Sequence, residues 1–263
     1  MVRQRTQVKR KNNDAYTVIC HYCRKDKKLI KAHIIPEAFF RRIRGEQNSL
    51  RLISNKENEF PKKAPIGVYD CNILCSECEK IFGAWDNYAQ DFLKSIPPNS
   101  SPIIHGNKVV GYEVHKYNYD LLKLFFISLL WRAGISKHSF YAKVNLGPYE
   151  ALLKKHIAQE NPGTGDEFAV TLSKFNHHLV PFFDPHPEKF EAINYYRFYL
   201  GSYVAYIKID KRQPPKFHSE VMMKPQAPLL IIGRELEGSK EFPLMKKIAT
   251  IVNNRLKSKT PAS

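Results

Sequence analysis

Two Cys-x-x-Cys pairs are the feature that most limits what this chain can fold into. The first pair is Cys20 and Cys23, and the second is Cys75 and Cys78. Two sulfurs at this spacing can bind one ion, and two such pairs complete the tetrahedral coordination that structural Zn²⁺ prefers. We therefore predict a structural zinc site that pins two distant segments of the chain to one point.

The alternative for the cysteines is that one pair is a redox-active dithiol, which would leave the second Cys-x-x-Cys unexplained. Cys71 is left over, and we expect it to be buried as a small apolar residue. Thiols kept as metal ligands belong to a reducing compartment, so we expect a cytoplasmic protein. The basic N-terminus is not followed by an apolar segment of the secretory type.

The chain is strongly basic. Its formal net charge at pH 7 is +17, and a charge of this size attracts polyanions. Charge alone does not distinguish DNA, RNA and an anionic membrane surface. The most apolar run, residues 121–134, is interrupted by Lys123 and is shorter than the roughly 20 residues that span a bilayer. We expect nucleic acid as the partner, DNA before RNA, and no association with a membrane.

The distribution of residue types predicts an α+β protein in two parts. All the cysteines lie in residues 15–95, and the Pro- and Ser-rich run 95–102 is the predicted linker. Residues 103–263 form the second predicted domain, also α+β. Its apolar and period-two patterns predict helices at 120–133, 149–159 and 242–257, and strands within 167–175, 199–209 and 228–233.

One helix is predicted directly after the second cysteine pair. Its apolar face consists of residues at helical spacing, namely Ile81, Trp85, Tyr88 and Phe92. A polar stripe then lies on the opposite side, made of Glu79, Asp86 and Gln90. Such a stripe is most often a solvated surface, and otherwise it offers oxygen ligands to a divalent ion.

The order of motifs resembles the zinc-stapled branch of the HNH (ββα-metal) endonucleases. The quoted elements are CHYC, then HIIP around His33, then CSEC opening a helix, and the likeness covers about residues 16–93. The resemblance implies that His33 is the general base for water and that Asp70 or Asn72 is the middle residue of the motif. It also implies that Glu79 is the functional residue on the helix. One catalytic Mg²⁺ or Mn²⁺ ion is implied as well, with Glu79 and Asp86 as its possible ligands.

The chain departs from the family at one position, because Ala32 stands where an acid usually precedes the histidine. His33 can alternatively be a buried structural residue, or a zinc ligand in place of a thiolate. The leading interpretation is metal-dependent hydrolysis of nucleic-acid phosphodiester bonds. Two other classes of protein fit the same pattern: a zinc-containing nucleic-acid-binding protein without catalysis, and a scaffold whose zinc module stabilises a protein-interaction domain.

Overall fold

The computed structural model describes residues 19–44, 51–52, 62–63, 67–176, 183–243, 245–247 and 250. The protein has a mixed α+β fold, as predicted. Most of the predicted C-terminal helix, 242–257, lies outside the described residues. The predicted helices at 120–133 and 149–159 and the three predicted strand regions are all confirmed, with boundaries within a few residues.

The N-terminal part is built from short elements around the cysteines. In chain order they are β1 (Ala32–His33), α1 (Glu37–Arg44), β2 (Arg51–Leu52), β3 (Lys62–Lys63), β4 (Tyr69–Asp70), α2 (Ser76–Ile81) and α3 (Gly83–Phe92). β1 pairs antiparallel with β4, so that Ala32 lies opposite Asp70 and His33 opposite Tyr69. β2 pairs with β3 in a separate two-stranded ladder. A strand pair followed by a helix is thus the framework around His33.

The single helix that we predicted after the second cysteine pair is two helices. α2 ends at Ile81 and α3 begins at Gly83, with Phe82 between them and fully buried. The backbone N–H of Phe82 bonds to the carbonyl oxygens of both Glu79 and Lys80. This shared bond tightens the last turn of α2, as is common where a helix ends. The break lies between Glu79 and Asp86, so these two residues do not belong to one continuous helix.

The C-terminal part is a seven-stranded sheet with helices. The strands are β5 (Ser100–His105), β6 (Lys108–Val114), β7 (Val170–Phe175), β8 (His186–Phe190), β9 (Ile193–Leu200), β10 (Tyr203–Lys208) and β11 (Leu229–Arg234). Their spatial order is β5-β6-β11-β7-β10-β9-β8. All neighbours are antiparallel except β11 and β7, which are parallel. The helices are α4 (Tyr119–Ile135), α5 (Tyr149–Ala158) and α6 (Lys216–Val221).

Helix α4 lies at the centre of the molecule. It is apolar on all sides and nearly every residue is buried, which is the pattern of a helix surrounded by protein. Asn118 caps its first turn by accepting a hydrogen bond from the N–H of Leu121. Two charged side chains within it, Lys123 and Arg132, are fully buried. No helix in the described part of the chain is long and apolar enough to cross a bilayer.

The hydrophobic core is continuous from the cysteines to the large sheet. One cluster of buried residues includes Cys20 and Phe82 from the N-terminal part, Phe125 and Trp131 from α4, and Leu172 from β7. The predicted linker at 95–102 is partly strand, because β5 already begins at Ser100. The division into domains at this point remains a prediction, and the core extends across it.

Candidate functional site

Four cysteines converge as the sequence predicts. The Sγ atoms of Cys20, Cys23, Cys75 and Cys78 all lie within 4.8 Å of one another, and in the described part of the chain no other group of three or more potential ligands does so. Three of these cysteines are buried and Cys23 is partly buried. Cys71 is exposed, so our expectation that it is buried was wrong. It lies between β4 and the second pair and does not join the cluster.

The local backbone explains how each pair presents its sulfurs. After the first pair the chain turns sharply, with Arg24 in the left-handed region at φ 59° and its N–H bonded to the Cys20 carbonyl at 2.9 Å. Cys75 is the N-cap of α2, so Cys78 lies one turn further along the same helix. The backbone N–H of Cys75 also donates to the sulfur of Cys20 at 3.4 Å. The two segments are therefore held in register by backbone contacts as well as by the sulfurs.

Among the four cysteines, the surroundings of Cys20 favour the thiolate form. Burial raises the pKa of the Cys20 thiol, but hydrogen bonds from the backbone at Cys23, Cys75 and Tyr22 outweigh it and bring the pKa down to about 7. Burial and the neighbouring thiols raise the pKa of Cys78. Four sulfurs with amide donors aimed at one of them suit a cation that holds thiolates together. The cluster could therefore hold a metal ion and is compatible with structural zinc.

Removing one of the four cysteine ligands should separate the two segments that carry the cysteine pairs. We expect one zinc ion per chain in protein purified without added metal, and less than a tenth of that in Cys78→Ser. Because the ion would hold two segments together, the serine variant should also unfold at a lower temperature. Elemental analysis by plasma mass spectrometry and thermal unfolding followed by circular dichroism measure the two effects.

The matched control is Cys71→Ser, which changes the exposed fifth cysteine. It should keep both the zinc content and the unfolding temperature of the parent. A parent protein that is folded and contains no metal would contradict the structural-zinc prediction.

His33 lies at the end of β1, with its backbone bonded on both sides. Its N–H donates to the carboxylate of Glu79. Its carbonyl oxygen accepts a hydrogen bond from Nη1 of Arg132 at 3.1 Å. The residue is partly exposed, and its imidazole contacts the ring of Tyr69 edge-on, at 5.9 Å between centroids. The backbone of His33 is thus held from α2 and α4.

Asp86 is engaged by a buried arginine. The guanidinium of Arg132 forms two parallel hydrogen bonds with it, Nη1 to Oδ2 at 2.9 Å and Nη2 to Oδ1 at 2.7 Å. The Arg132 side chain is fully buried and that of Asp86 is 15% exposed. Burial raises the pKa of Asp86, and the charges of Arg132 and of a protonated His33 oppose this rise. Because both carboxylate oxygens are used, Asp86 serves the fold as the partner of Arg132.

Glu79 is the acidic residue at this site with an unused oxygen. Its Oε2 atom is buried and has no hydrogen-bond partner. Burial raises the pKa of Glu79, with Asp86 adding to the rise, while Arg132 and the N–H of His33 lower it. A buried carboxylate oxygen without a partner is costly unless it is protonated or binds a cation. Of the two acids predicted to hold a divalent ion, Glu79 has a buried oxygen without a partner and Asp86 is bonded to Arg132 through both oxygens, and the ion itself stays a prediction.

Asp70 has a different set of neighbours. Its Oδ1 accepts hydrogen bonds from the backbone N–H and the amide of Asn72, and its Oδ2 accepts from the hydroxyl of Ser136 and the N–H of Lys137. Asn72 itself is exposed. Asp70 thus joins β4 to the segment that follows α4. The predicted catalytic role of Asp70 and Asn72 stays a prediction, since each contact seen here is structural.

The hydrogen bonds to Asp70 should make the protein sensitive to acid. Burial raises the pKa of Asp70, but the bonds from Asn72, Ser136 and Lys137 outweigh it and hold the pKa below its ordinary value of 3.8. The stabilisation from this group is therefore complete above about pH 4 and is lost as the pH falls through the lowered pKa of the folded state. Asp70→Asn should lower the free energy of unfolding by about 1–3 kcal/mol at pH 7.

The difference in the free energy of unfolding between the parent and Asp70→Asn should shrink as the pH falls below 4. The reason is that the parent then loses the carboxylate charge that the variant lacks at every pH. Urea unfolding at pH 7, 5 and 3 measures it. A difference that is equal at all three pH values would show that the carboxylate charge contributes nothing.

The pair of Arg132 and Asp86 should be among the most costly contacts to break. Arg132→Met would leave a buried carboxylate unpaired, and Asp86→Asn would leave a buried guanidinium without its anion, so we expect each to cost about 3–5 kcal/mol. The double variant should cost less than the sum of the two, because no unpaired charge remains. Urea unfolding of all four proteins gives this double-mutant cycle.

The control for this cycle is the exposed pair formed by Arg41 and Glu37 on α1, where the arginine side chain is 64% exposed. Arg41→Met should cost less than about 1 kcal/mol. If Arg132→Met and Arg41→Met lower the free energy of unfolding equally, burial adds nothing to the pair of Arg132 and Asp86.

Arg132 is the residue of this site that sequence reasoning missed. The signal was present, because an arginine in a continuous apolar run must find a partner when the run is buried. It belongs to α4, 46 residues after Asp86.

Comparisons of the chain with protein-family profiles, with curated proteins and with solved structures gave no match.

Proposed function

We propose that the protein is a metal-dependent endonuclease of the HNH (ββα-metal) type that hydrolyses nucleic-acid phosphodiester bonds. One observation carries this proposal: the β1–β4 pair and helix α2 bring the backbone N–H of His33 into hydrogen-bond contact with the carboxylate of Glu79. A histidine at a strand end beside an acid on the following helix is the arrangement that the motif order implies. The buried Oε2 of Glu79 supports it further.

In this proposal His33 is the general base. A neutral imidazole accepts a proton from water near pH 7, and His33 is a partly exposed residue. Glu79 is the ligand for the divalent ion, since carboxylate oxygens are what Mg²⁺ and Mn²⁺ bind. Such an ion, when bound, would neutralise negative charge that develops on the scissile phosphate.

The bonds from Arg132 give the base a fixed position. One guanidinium nitrogen contacts both the His33 carbonyl and Asp86, so the strand end and α3 are held by the same side chain. Catalysis by a general base depends on geometry before pKa, and a shift of about 1 Å is costly. Arg132 is therefore a positioning residue in this proposal.

Cations lie on both sides of the strand pair. Lys31 precedes β1, is exposed, and lies over the ring of Tyr69 at 5.3 Å. Lys137 is also exposed and follows α4, where its N–H is bonded to Asp70. With the net charge of +17, these two side chains support binding of a phosphate backbone next to His33.

A second candidate function is nucleic-acid binding without catalysis. It is favoured by the contacts of the acids: Asp70 accepts four hydrogen bonds and Asp86 is bound to Arg132. Ala32 also occupies the position where the family carries an acid. Glu79 then remains as the carboxylate available to an ion. The two candidates differ in whether His33 is needed for cleavage.

The test is cleavage of plasmid DNA and of a labelled RNA with Mg²⁺ or Mn²⁺. His33→Ala should lower the rate by about 10²- to 10⁴-fold, the usual effect of losing a general base. It should keep its zinc, because His33 is not one of the four cysteine ligands, and its circular dichroism spectrum should stay that of the folded parent. Glu79→Gln should raise the concentration of divalent ion needed for half-maximal rate.

The control is His156→Ala, a histidine on α5 whose ring contacts Phe168. It should cleave like the parent. If the parent cleaves neither substrate with either ion while still binding nucleic acid, the second candidate replaces the first. If His33→Ala cleaves as fast as the parent, His33 is not the base.

A further inference from the structure

The β5–β6 hairpin carries an exposed apolar tip that nothing in the described structure covers. β6 pairs with β11 only from Gly111 to Val114, so the hairpin extends beyond the sheet from that point to its turn at Gly106. Every residue from 101 to 110 is exposed. The exposed side chains include four large aliphatic ones, Ile103, Ile104, Val109 and Val110. We refer to residues 100–114 as the arm and to residues 104–109 as its tip.

The two faces of the tip differ in chemistry. Ile104 lies opposite Val109, and the next pair is His105 opposite Lys108. Because successive side chains alternate between the faces of a strand, the aliphatic pair lies on one face and the basic pair on the other. Ile104 is the more prominent of the aliphatic pair, at 64% exposed. The turn is short, and Gly106 at φ +59° allows its tight reversal.

The base of the arm is fastened to α3. The amide of Asn99 donates to the carbonyl of Lys116 at 2.8 Å, which closes the two ends of the arm. The N–H of Asn118 donates to the hydroxyl of Tyr88 at 2.6 Å. The ring of Phe92 lies 6.2 Å from that of Tyr117. The arm therefore extends in a direction set by the helix that also carries Asp86.

The tip of the arm carries the cation Lys108 and no acidic residue, while Glu113 lies near the base of the arm. Lys94, Lys108 and Lys116 are exposed in or beside it, and Glu113 is the one acidic residue from Ser100 to Lys116. A second copy of the chain is a poor occupant, because a two-fold contact would bring the basic tips of two chains of charge +17 together. Stable dimers also bury at least about 1,200 Å² in total, far more than a few exposed aliphatic side chains supply.

We propose that the arm enters the minor groove of duplex DNA, with Ile104 and Val109 as an apolar wedge against a base step. This inference rests on the proposed function and specifies its substrate. Aliphatic side chains inserted in this way unstack the step and bend the duplex, while nearby cations contact the phosphates. The face with His105 and Lys108 has the charge for those phosphates. Duplex RNA is a poorer match, since its minor groove is wide and shallow.

The experiment uses full-length protein with His33→Ala, so that the DNA stays intact, and a 20-base-pair duplex with donor and acceptor dyes at its ends. Binding should bend the duplex and raise the energy transfer. Adding Ile104→Ala and Val109→Ala should abolish most of that rise and weaken binding about tenfold, because the wedge is lost. The salt dependence of binding should stay unchanged.

Two variants in the same background serve as controls. Lys108→Ala should keep the bend but reduce the slope of log affinity against log salt by about 1, as expected for one lost phosphate contact. Leu152→Ala removes another exposed aliphatic side chain, on α5. It should change neither the bend of the duplex nor the salt dependence of binding. Both controls separate the wedge from general effects of charge and apolar surface.

The outcomes distinguish this proposal from the one on which it rests. If the parent binds or cleaves duplex DNA and the wedge variant bends and binds it equally well, the arm proposal is wrong while the nuclease proposal stands. If the parent binds and cleaves only RNA, the arm proposal is again wrong and the nuclease proposal survives. If the parent neither binds nor cleaves any nucleic acid, both fail. Loss of a dimer in the wedge variant, seen by sedimentation, would assign the tip to a second copy.

Discussion

Arg132 places a fully buried positive charge in the last turn of the most apolar helix of the described chain, where it must be compensated. Asp86 supplies the anion, and the carbonyl oxygen of His33 accepts from the same guanidinium. One buried side chain of α4 therefore bonds to both α3 and β1, which precede α4 in the chain by more than 25 residues. The ring of Phe82 lies beneath the guanidinium at 4.8 Å, which adds a cation–π contact. The end of β1, where His33 lies, is therefore bonded to this buried pair.

The acids near His33 differ in how fully their carboxylate oxygens are hydrogen-bonded. Asp70 is satisfied by four donors and Asp86 by two, so both stabilise the connection to α4 and the segment after it. Glu79 alone of the three keeps a buried oxygen without a partner. A buried polar atom that lacks a partner lowers stability, and such costs are concentrated where a protein binds or reacts. This contrast is the reason why the proposed metal ligand is Glu79.

Local patterns in the sequence predicted the local structure well. The cysteine cluster, the buried helix α4 and strands β7, β10 and β11 follow from spacing and hydrophobic period, which depend on neighbours along the chain. The break at Phe82 was not predicted, because the apolar spacing continues through it. The partner of Asp86 was not predicted either, since a polar stripe opposite an apolar face looks solvated until a distant helix covers it. The contacts of Asp70 with Ser136 and Lys137 are equally non-local, and periodicity carries no information about them.

The location of Arg132 on α4 has a consequence for the order of events during synthesis of the chain. All four cysteines and His33 leave the ribosome before α4 does. A nascent chain that ends at residue 118 already contains the four cysteines, but Asp86 and the carbonyl of His33 still lack their donor. The aromatic surface of Phe82, which rests on Trp131, is also uncovered at that stage. Premature termination before α4 would thus yield a product that has the four cysteines but lacks the side chain that fixes the end of β1.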